Sequence, residues 1–393
     1  MRTNELAHRF RRETVEYRRD IHKHPEPSMQ EFRTTDRICE ELDKLGVSYR
    51  RTEPTGVIAE LKGTKADSDK IVMIRGDIDA LSIQEKTEFE FKSVNDGFMH
   101  ACGHDTHNAM LLGSVKVLKE MQDEFAGTVR FVFQPGEEVA LGAKAMLDQG
   151  CMEGVGYAFG IHISSTLENG WLSGMPGSSA AATDWFKIRV TGKTSHGAYP
   201  AGGVDALVCG TAIVQALQTM VSREYDPSDP LVVTVGSFHS GSRFNIIAGT
   251  CEMEGTCRMY SPEIHKNIDE VMTRIVKNVA AAYRCEAEVE YNKLLEPVVN
   301  DQDAYELGRA ACEKVAPGKF VLAQPGMGGE DFGWYTTAEG SKCAFFSLGA
   351  RWHDESKVYP QHHECVHFEE DALEVGVAAY AQLVFDALEK LNG

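Results

Sequence analysis

His100-Ala101-Cys102-Gly103-His104-Asp105-Thr106-His107 sets three imidazoles, a thiol and a carboxylate side by side. A polar, glycine-containing stretch (93–98) precedes the run. After it, Met110, Leu111, Val115, Leu118 and Met121 recur with helical period. The run therefore sits at a loop-to-helix junction, where helix-end donors and side chains converge on a pocket. The helix it opens, predicted over 104–123, lies between short apolar strands at 70–74 and 128–133. Outward from there, helices are predicted over 3–19, 31–45 and 142–149, and strands over 57–61 and 156–161. Short buried strands alternating with helices define an α/β domain with a mixed, largely parallel sheet flanked by helices.

The middle of the chain has a different rhythm. A strand (185–191), a helix (204–223), two strands (231–238 and 249–259), a helix (262–283) and a strand (287–294) give the order β-α-β-β-α-β. That is the ferredoxin-like pattern. Its helices carry apolar stripes, Leu207, Ile213, Val214, Leu217 and Ile264, Ile268, Val271, Ile275, which are core faces. A helix (301–315), a strand (344–348) and a long helix (369–391) then resume the first pattern. The expected organisation is a catalytic α/β domain in two segments, 1–183 and 298–393, with a ferredoxin-like lid inserted at 184–297.

Composition narrows the function classes. Hydrophobic residues make up 42% of the 393 and charged residues 25%, which is ordinary globular usage. The formal net charge of −19, with no run of basic residues, argues against a nucleic-acid partner. No apolar stretch reaches membrane-spanning length and no signal-peptide core is expected at the N-terminus. Ten scattered cysteines without CxxC spacing fit a reducing cytoplasm, with free thiols available to bind metal.

Four more segments place ligand-type residues at predicted strand ends, where open α/β sheets build their sites. These are Arg75-Gly76-Asp77-Ile78-Asp79, whose acids alternate onto one face, Phe133 to Glu138, Gly160-Ile161-His162, and Gln361-His362-His363-Glu364. Taken singly, each has a plain structural reading: Asp77 and Asp79 as helix caps, Glu137-Glu138 as solvated surface, His162 as a core imidazole. Together they supply what a two-metal hydrolase needs, namely an anionic bridge, terminal imidazoles and a free carboxylate for the attacking water. Cys102 could bridge, with His104, Glu138, His162 and His362 as terminal ligands and Glu137 as the base. Asp77 or Asp105 would orient an imidazole from behind.

These motifs, with Asp20-Ile21-His22-Lys23-His24-Pro25-Glu26, Ser195-His196-Gly197-Ala198-Tyr199-Pro200, Phe244 to Ala248 and Gly329-Glu330-Asp331-Phe332, make the chain resemble the aminoacylase/carboxypeptidase-G-type metallopeptidase family, in its amidohydrolase branch. The resemblance implies a dinuclear-metal catalytic domain and a lid that pairs two subunits into a homodimer. It implies that Cys102, His104, Glu138, His162 and His362 bind the metals and that Glu137 is the general base. It also implies that His196 stabilises an oxyanion and that Asn245 and Arg258 contact substrate. The implied activity is hydrolysis of small N-acyl amino acids to a carboxylic acid and an amino acid. A dipeptidase or carboxypeptidase on the same scaffold is the alternative. A cysteine-bridged site suits zinc, with manganese, cobalt or nickel also fitting two divalent positions.

Two stretches depart from the family pattern. Val139-Ala140-Leu141-Gly142 replaces a glycine-rich turn, and Gln361-His362-His363-Glu364-Cys365-Val366 replaces Leu-His-x-Pro-x-Phe. His362 is the C-terminal ligand by register with Phe368, with His363 and then His367 behind it.

Overall fold

The computed structural model describes residues 1–393. The chain divides into two compact units. The first comprises Met1–Ser179, Val299–Pro325 and Trp334–Gly393, and the second Ala180–Val298 and Gly326–Gly333.

The first unit is built on an eight-stranded sheet. Its central strands, Thr128–Gln134, Ile71–Asp77, Val155–Ser164 and Lys342–Gly349, run parallel to one another. Antiparallel pairs come in toward the edges, Ser48–Arg51 on Val57–Lys62 and Val57–Lys62 on Thr128–Gln134, with Leu172–Gly174 against Lys342–Gly349 at the other side. Val72, Met73, Ile74, Phe131, Val132, Phe133, Ala158 and Phe159 are all buried. The centre of the sheet is covered on both faces, so these strands read as continuous apolar runs rather than alternations. The short strands Ser48–Arg51, Leu172–Gly174 and Phe320–Leu322 were not expected, because three or four residues carry no measurable period.

Helix His104–Glu120 packs between helices Arg2–Lys23 and Ala372–Asn392 and against strand Ile71–Asp77. Its buried residues run without a break from His104 to Leu118, polar positions included. The functional run thus opens a core helix, not a surface one.

The second unit follows the expected β-α-β-β-α-β order. Its four strands, Leu231–Ser240, Thr250–Met259, Ala182–Thr191 and Glu286–Leu295, form an antiparallel sheet in that spatial order. Helices Ala206–Thr219 and Pro262–Ala282 pack on it through Ile213, Leu217, Ile264, Ile268 and Met272. The first helix stops earlier than expected and continues as a π turn, Met220–Glu224. Residues 326–333 belong to this unit although they lie far along the chain. Ala181 N–H donates to the Gly328 carbonyl (3.1 Å), and a side chain at Gly329 would collide with Thr183 and Leu295.

This unit buries an ionic cluster. His265, 2% exposed, holds Asp184 through Nε2 and Glu296 through Nδ1, both at 2.9 Å. Tyr291 donates its hydroxyl to the other Asp184 oxygen at 2.6 Å. Burial opposes charge on His265, but the two acids outweigh it and raise its pKa to about 9. The folded value lies above the unfolded one of about 6.5. The stabilisation is therefore fully present below pH ~6.5 and is lost as pH rises through ~9. His265→Gln is expected to cost about 3–5 kcal/mol near neutral pH, as for a broken buried pair. In thermal unfolding followed across pH, the gap between wild type and variant should narrow from pH ~6.5 to above pH ~9.

Candidate metal centre

Because the central strands are parallel, their carboxyl ends lie along one edge. Asp77 ends one strand, Glu137 and Glu138 follow another, and His162 stands near the end of a third. Gly103 joins the run to this edge in the left-handed region (φ 100°), and a Cβ there would collide with Ile163. Only glycine fits the turn. It leaves Cys102 Sγ 3.5 Å from His162 Nε2 and places His104 at the first turn of its helix.

The C-terminal loop that carries His362 reaches the same point. The His362 N–H donates to the Ala101 carbonyl (2.9 Å), and its Nε2 lies 3.3 Å from Cys102 Sγ and 3.6 Å from Glu138 Oε1. His362 has φ 66°, a sparsely populated conformation for a residue other than glycine. His363 turns away and stacks on Tyr359 at 4.4 Å, and His367 packs among Phe89 and Trp352. His104 Nε2 is 3.8 Å from Glu138 Oε1 and 3.9 Å from Glu137 Oε2.

The cluster includes the donor sets Cys102/His104/His162, Cys102/Glu138/His362 and His104/Glu137/Glu138, each with its ligand atoms within 4.8 Å of one another. Cys102 is common to the first two. His104 Nε2 and Glu138 Oε1 are buried and have no hydrogen-bond partner. Orphaned atoms of this kind are costly unless something satisfies them. A cation between them would do so, and the sulfur, nitrogen and carboxylate donors suit divalent metals.

The electrostatics agree. Burial holds the Cys102 thiol well above its ordinary range, and burial pushes Glu138 up to about 7. His104 is shifted upward, because Asp77 and Cys102 outweigh its burial. Burial, then the neighbouring His104 and His162, lowers His362. Without a cation the cluster keeps protons that a metal would displace.

Behind the donors stands a second layer. Asp79 Oδ1 is 3.1 Å from His104 Nδ1, and its Oδ2 accepts the Glu138 N–H at 3.0 Å and the Ser28 hydroxyl at 2.6 Å. Asp77 accepts from Arg75 Nη1 and from His107 Nδ1, each at 2.6 Å. His107 Nε2 in turn accepts the Ile163 N–H at 2.7 Å. Burial lowers His107 to about 3, so it is a neutral strut beside His162.

Asp105 does not orient a ligand imidazole. Adjacent helical residues point about 100° apart, so with His104 facing the cluster Asp105 faces the N-terminal helix. There it meets Arg18 Nε at 2.6 Å and His22 Nδ1 at 2.8 Å. The acid on His104 is Asp79, which the 77/79 alternation had already placed on one face.

Glu31 was not anticipated. Its Oε1 accepts the N–H groups of Met29 (2.8 Å) and Gly136 (2.9 Å), and its Oε2 accepts the Thr55 hydroxyl. Burial raises its pKa to about 7. Gly136 adopts φ 60°, and a Cβ there would strike the Met29 sulfur. The Glu137-Glu138 turn therefore hangs from two buried carboxyls, Glu31 through Gly136 and Asp79 through Glu138.

The remaining predicted residues lie in the second unit. His196 is exposed in a two-residue strand paired with Ile246–Ile247, and its Nδ1 accepts the Ala198 N–H at 3.1 Å. The Asn245 carbonyl accepts the Gly197 N–H at 2.8 Å, while its side-chain Oδ1 is buried without a partner. Arg258 Nη1 donates to the Thr256 hydroxyl (2.6 Å) and the Cys257 carbonyl (3.1 Å).

Known proteins share this arrangement of the chain. The chain is 36% identical over 374 residues to "Thermostable carboxypeptidase 1" of Saccharolobus solfataricus, covering 94% of each. It is 39% identical over 297 residues to "N-acyl-L-amino acid amidohydrolase" of Geobacillus stearothermophilus, covering 75% of this chain and 80% of that one. A solved Bacillus subtilis structure, described as a dinuclear metal binding peptidase from the M20 family, superposes with a TM-score of 0.84 at 34% identity, covering 97% and 99% of the two chains. Residues 73–386 match the model of peptidase family M20/M25/M40, and with nearly the whole chain aligned to such relatives, this protein belongs to that family.

Proposed function

We propose that the protein hydrolyses the amide bond of N-acyl amino acids, releasing a carboxylic acid and a free amino acid. Cys102, His104, Glu138, His162 and His362 would hold two divalent ions, with Cys102 shared, and zinc fits this donor set first. The observation that carries the reading is Glu137, a carboxylate 3.9 Å from His104 Nε2 and outside both sets that contain Cys102. Binding alone has no use for such an acid beside the ligands, whereas hydrolysis does.

When bound, a metal pair polarises the amide carbonyl and lowers the pKa of water. Glu137 takes the proton from the water as its oxygen bonds to the carbonyl carbon, and returns it to the amine nitrogen as the C–N bond breaks. His196 supplies a donor for the oxyanion: with Nδ1 accepting from Ala198, the neutral ring carries its proton on Nε2. Arg258 and Asn245 are assigned to the substrate, the guanidinium to its carboxylate.

The second unit's edge strands, Leu231–Ser240 and Glu286–Leu295, offer unpaired backbone for a homodimer. All ten cysteines are free, which favours the cytoplasm. No helix is long and apolar enough to cross a membrane.

The carboxypeptidase relative supports a second reading, cleavage of peptides with a free amine or of C-terminal residues. Protein reconstituted with zinc or manganese should turn over N-acetyl and N-benzoyl amino acids faster than the matching dipeptides. Faster turnover of dipeptides would overturn the first reading in favour of the second.

Glu31 gives a further expectation. Glu31→Ala frees the Gly136 N–H and should lower kcat about 10–100-fold, as for loss of a group that orients ligands, with KM little changed. Glu31→Gln can still accept both N–H groups at Oε1 while its amide faces Thr55, and should restore most of the loss. Steady-state kinetics on the two variants decides this.

A further inference from the structure

On the first unit, a cavity of about 330 Å³ opens between the 86–89 stretch and the loop that carries His362. Phe89, Trp352, Tyr359 and His367 wall it. The rings are arranged around His367: Phe89 meets it edge-on at 4.7 Å, Trp352 lies at 5.0 Å, and Tyr359 is stacked at 6.2 Å. Phe89 and Trp352 also touch edge to face at 5.9 Å. Burial lowers the His367 pKa, so at neutral pH the ring is an uncharged part of the wall. The metal centre does not use His367, and the cavity includes the stretch where the chain departs from the family's usual ligand loop.

The charges at the cavity are specific. Lys86 is engaged by Glu364 at 2.8 Å, and its N–H holds the Glu364 carbonyl at 2.9 Å. That pair neutralises itself. Lys357 and Glu88 also line the cavity, are exposed, and have no ion-pair partner, so one cation and one anion face the space unmatched. A flat apolar ligand would use the rings alone, an aromatic acid would leave Glu88 unmatched, and an aromatic amine would leave Lys357 unmatched. A ring that carries both a carboxylate and an ammonium matches all three features.

We propose that this cavity is a binding site, separate from the metal centre, for a free aromatic amino acid, its side chain among Phe89, Trp352 and Tyr359 and its charged groups on Lys357 and Glu88. Under the proposed function a free amino acid is one of the two products, so the site would report product on the loop that holds a ligand. Tyr359 provides the link, since it stacks on His363, the neighbour of His362.

Calorimetric titration of the metal-loaded enzyme with L-tryptophan tests the proposal, with L-alanine, phenylacetate and phenethylamine as comparisons. L-Tryptophan should bind most tightly. Lys357→Ala and Glu88→Gln should each weaken it about tenfold, the loss of one charged hydrogen bond, while kcat/KM for an N-acetyl amino acid stays near wild type. Trp352→Ala should also weaken binding, with an unchanged circular dichroism spectrum. Wild-type affinity in both charge variants, L-alanine binding as tightly as L-tryptophan, or no binding to wild type would each overturn the site. Charge-dependent L-tryptophan binding by an enzyme that hydrolyses no N-acyl amino acid would uphold the site and overturn the proposed function instead.

Discussion

Glu137→Gln is expected to retain its metal and to hydrolyse N-acyl amino acids about 10²–10⁴-fold more slowly, the usual contribution of a positioned proton acceptor. Glutamine keeps the shape of the side chain and its approach to His104, 3.9 Å away in the native protein. What it cannot do is take a proton from water and return it to the departing nitrogen. The donor sets built on Cys102 do not include Glu137, so elemental analysis should find wild-type metal content. A variant that binds metal normally and still turns over at the native rate would remove Glu137 from the reaction.

Cys102→Ala should have the largest effect on metal content. The sulfur lies 3.5 Å from His162 Nε2 and 3.3 Å from His362 Nε2, and it belongs to two donor sets. Removing it takes a ligand from both positions at once, so the purified variant should hold at most one of its two ions. Excess metal should not restore activity. Cys102 sits in a turn before the helix, so the metal-free variant should unfold close to the metal-free wild type. Cys312→Ala is the matching control: that thiol is also buried but lies in the helix Gln302–Val315, away from the donors, and its loss should leave metal content unchanged. Retention of both ions by Cys102→Ala would rule out the shared sulfur.

The parts of this molecule that could be read in its sequence are those with local causes. The strands around Val72 and Phe131 stand out as unbroken apolar runs because both faces of the sheet are covered. The second unit's helices show as stripes because each has one wet face. The donor groups could be recognised as types clustered at strand ends. What escaped depends on distant partners. Glu31 looks like an ordinary helix-start acid until its Gly136 partner, 105 residues away, is folded against it. The sequence offers Asp77 or Asp105 behind an imidazole, and that Asp79 instead meets His104 while Asp77 meets His107 follows only from the direction of these rings in the fold. The membership of residues 326–333 was decided by contacts with Thr183 and Leu295, and the glycine-rich sequence there signals a turn without saying which unit it joins.

The parallel order of the central strands also governs when the site can exist. Cys102 and its His362 neighbour are separated by 260 residues, and the strand Lys342–Gly349, which pairs along the strand bearing His162, enters the sheet late in synthesis. Pairings this remote in sequence form slowly, after much of the chain has already collapsed. Under the proposed ligand set, a nascent chain that has not yet reached His362 presents only part of its donors, and a chain cut short before position 362 would leave the second donor set without its imidazole.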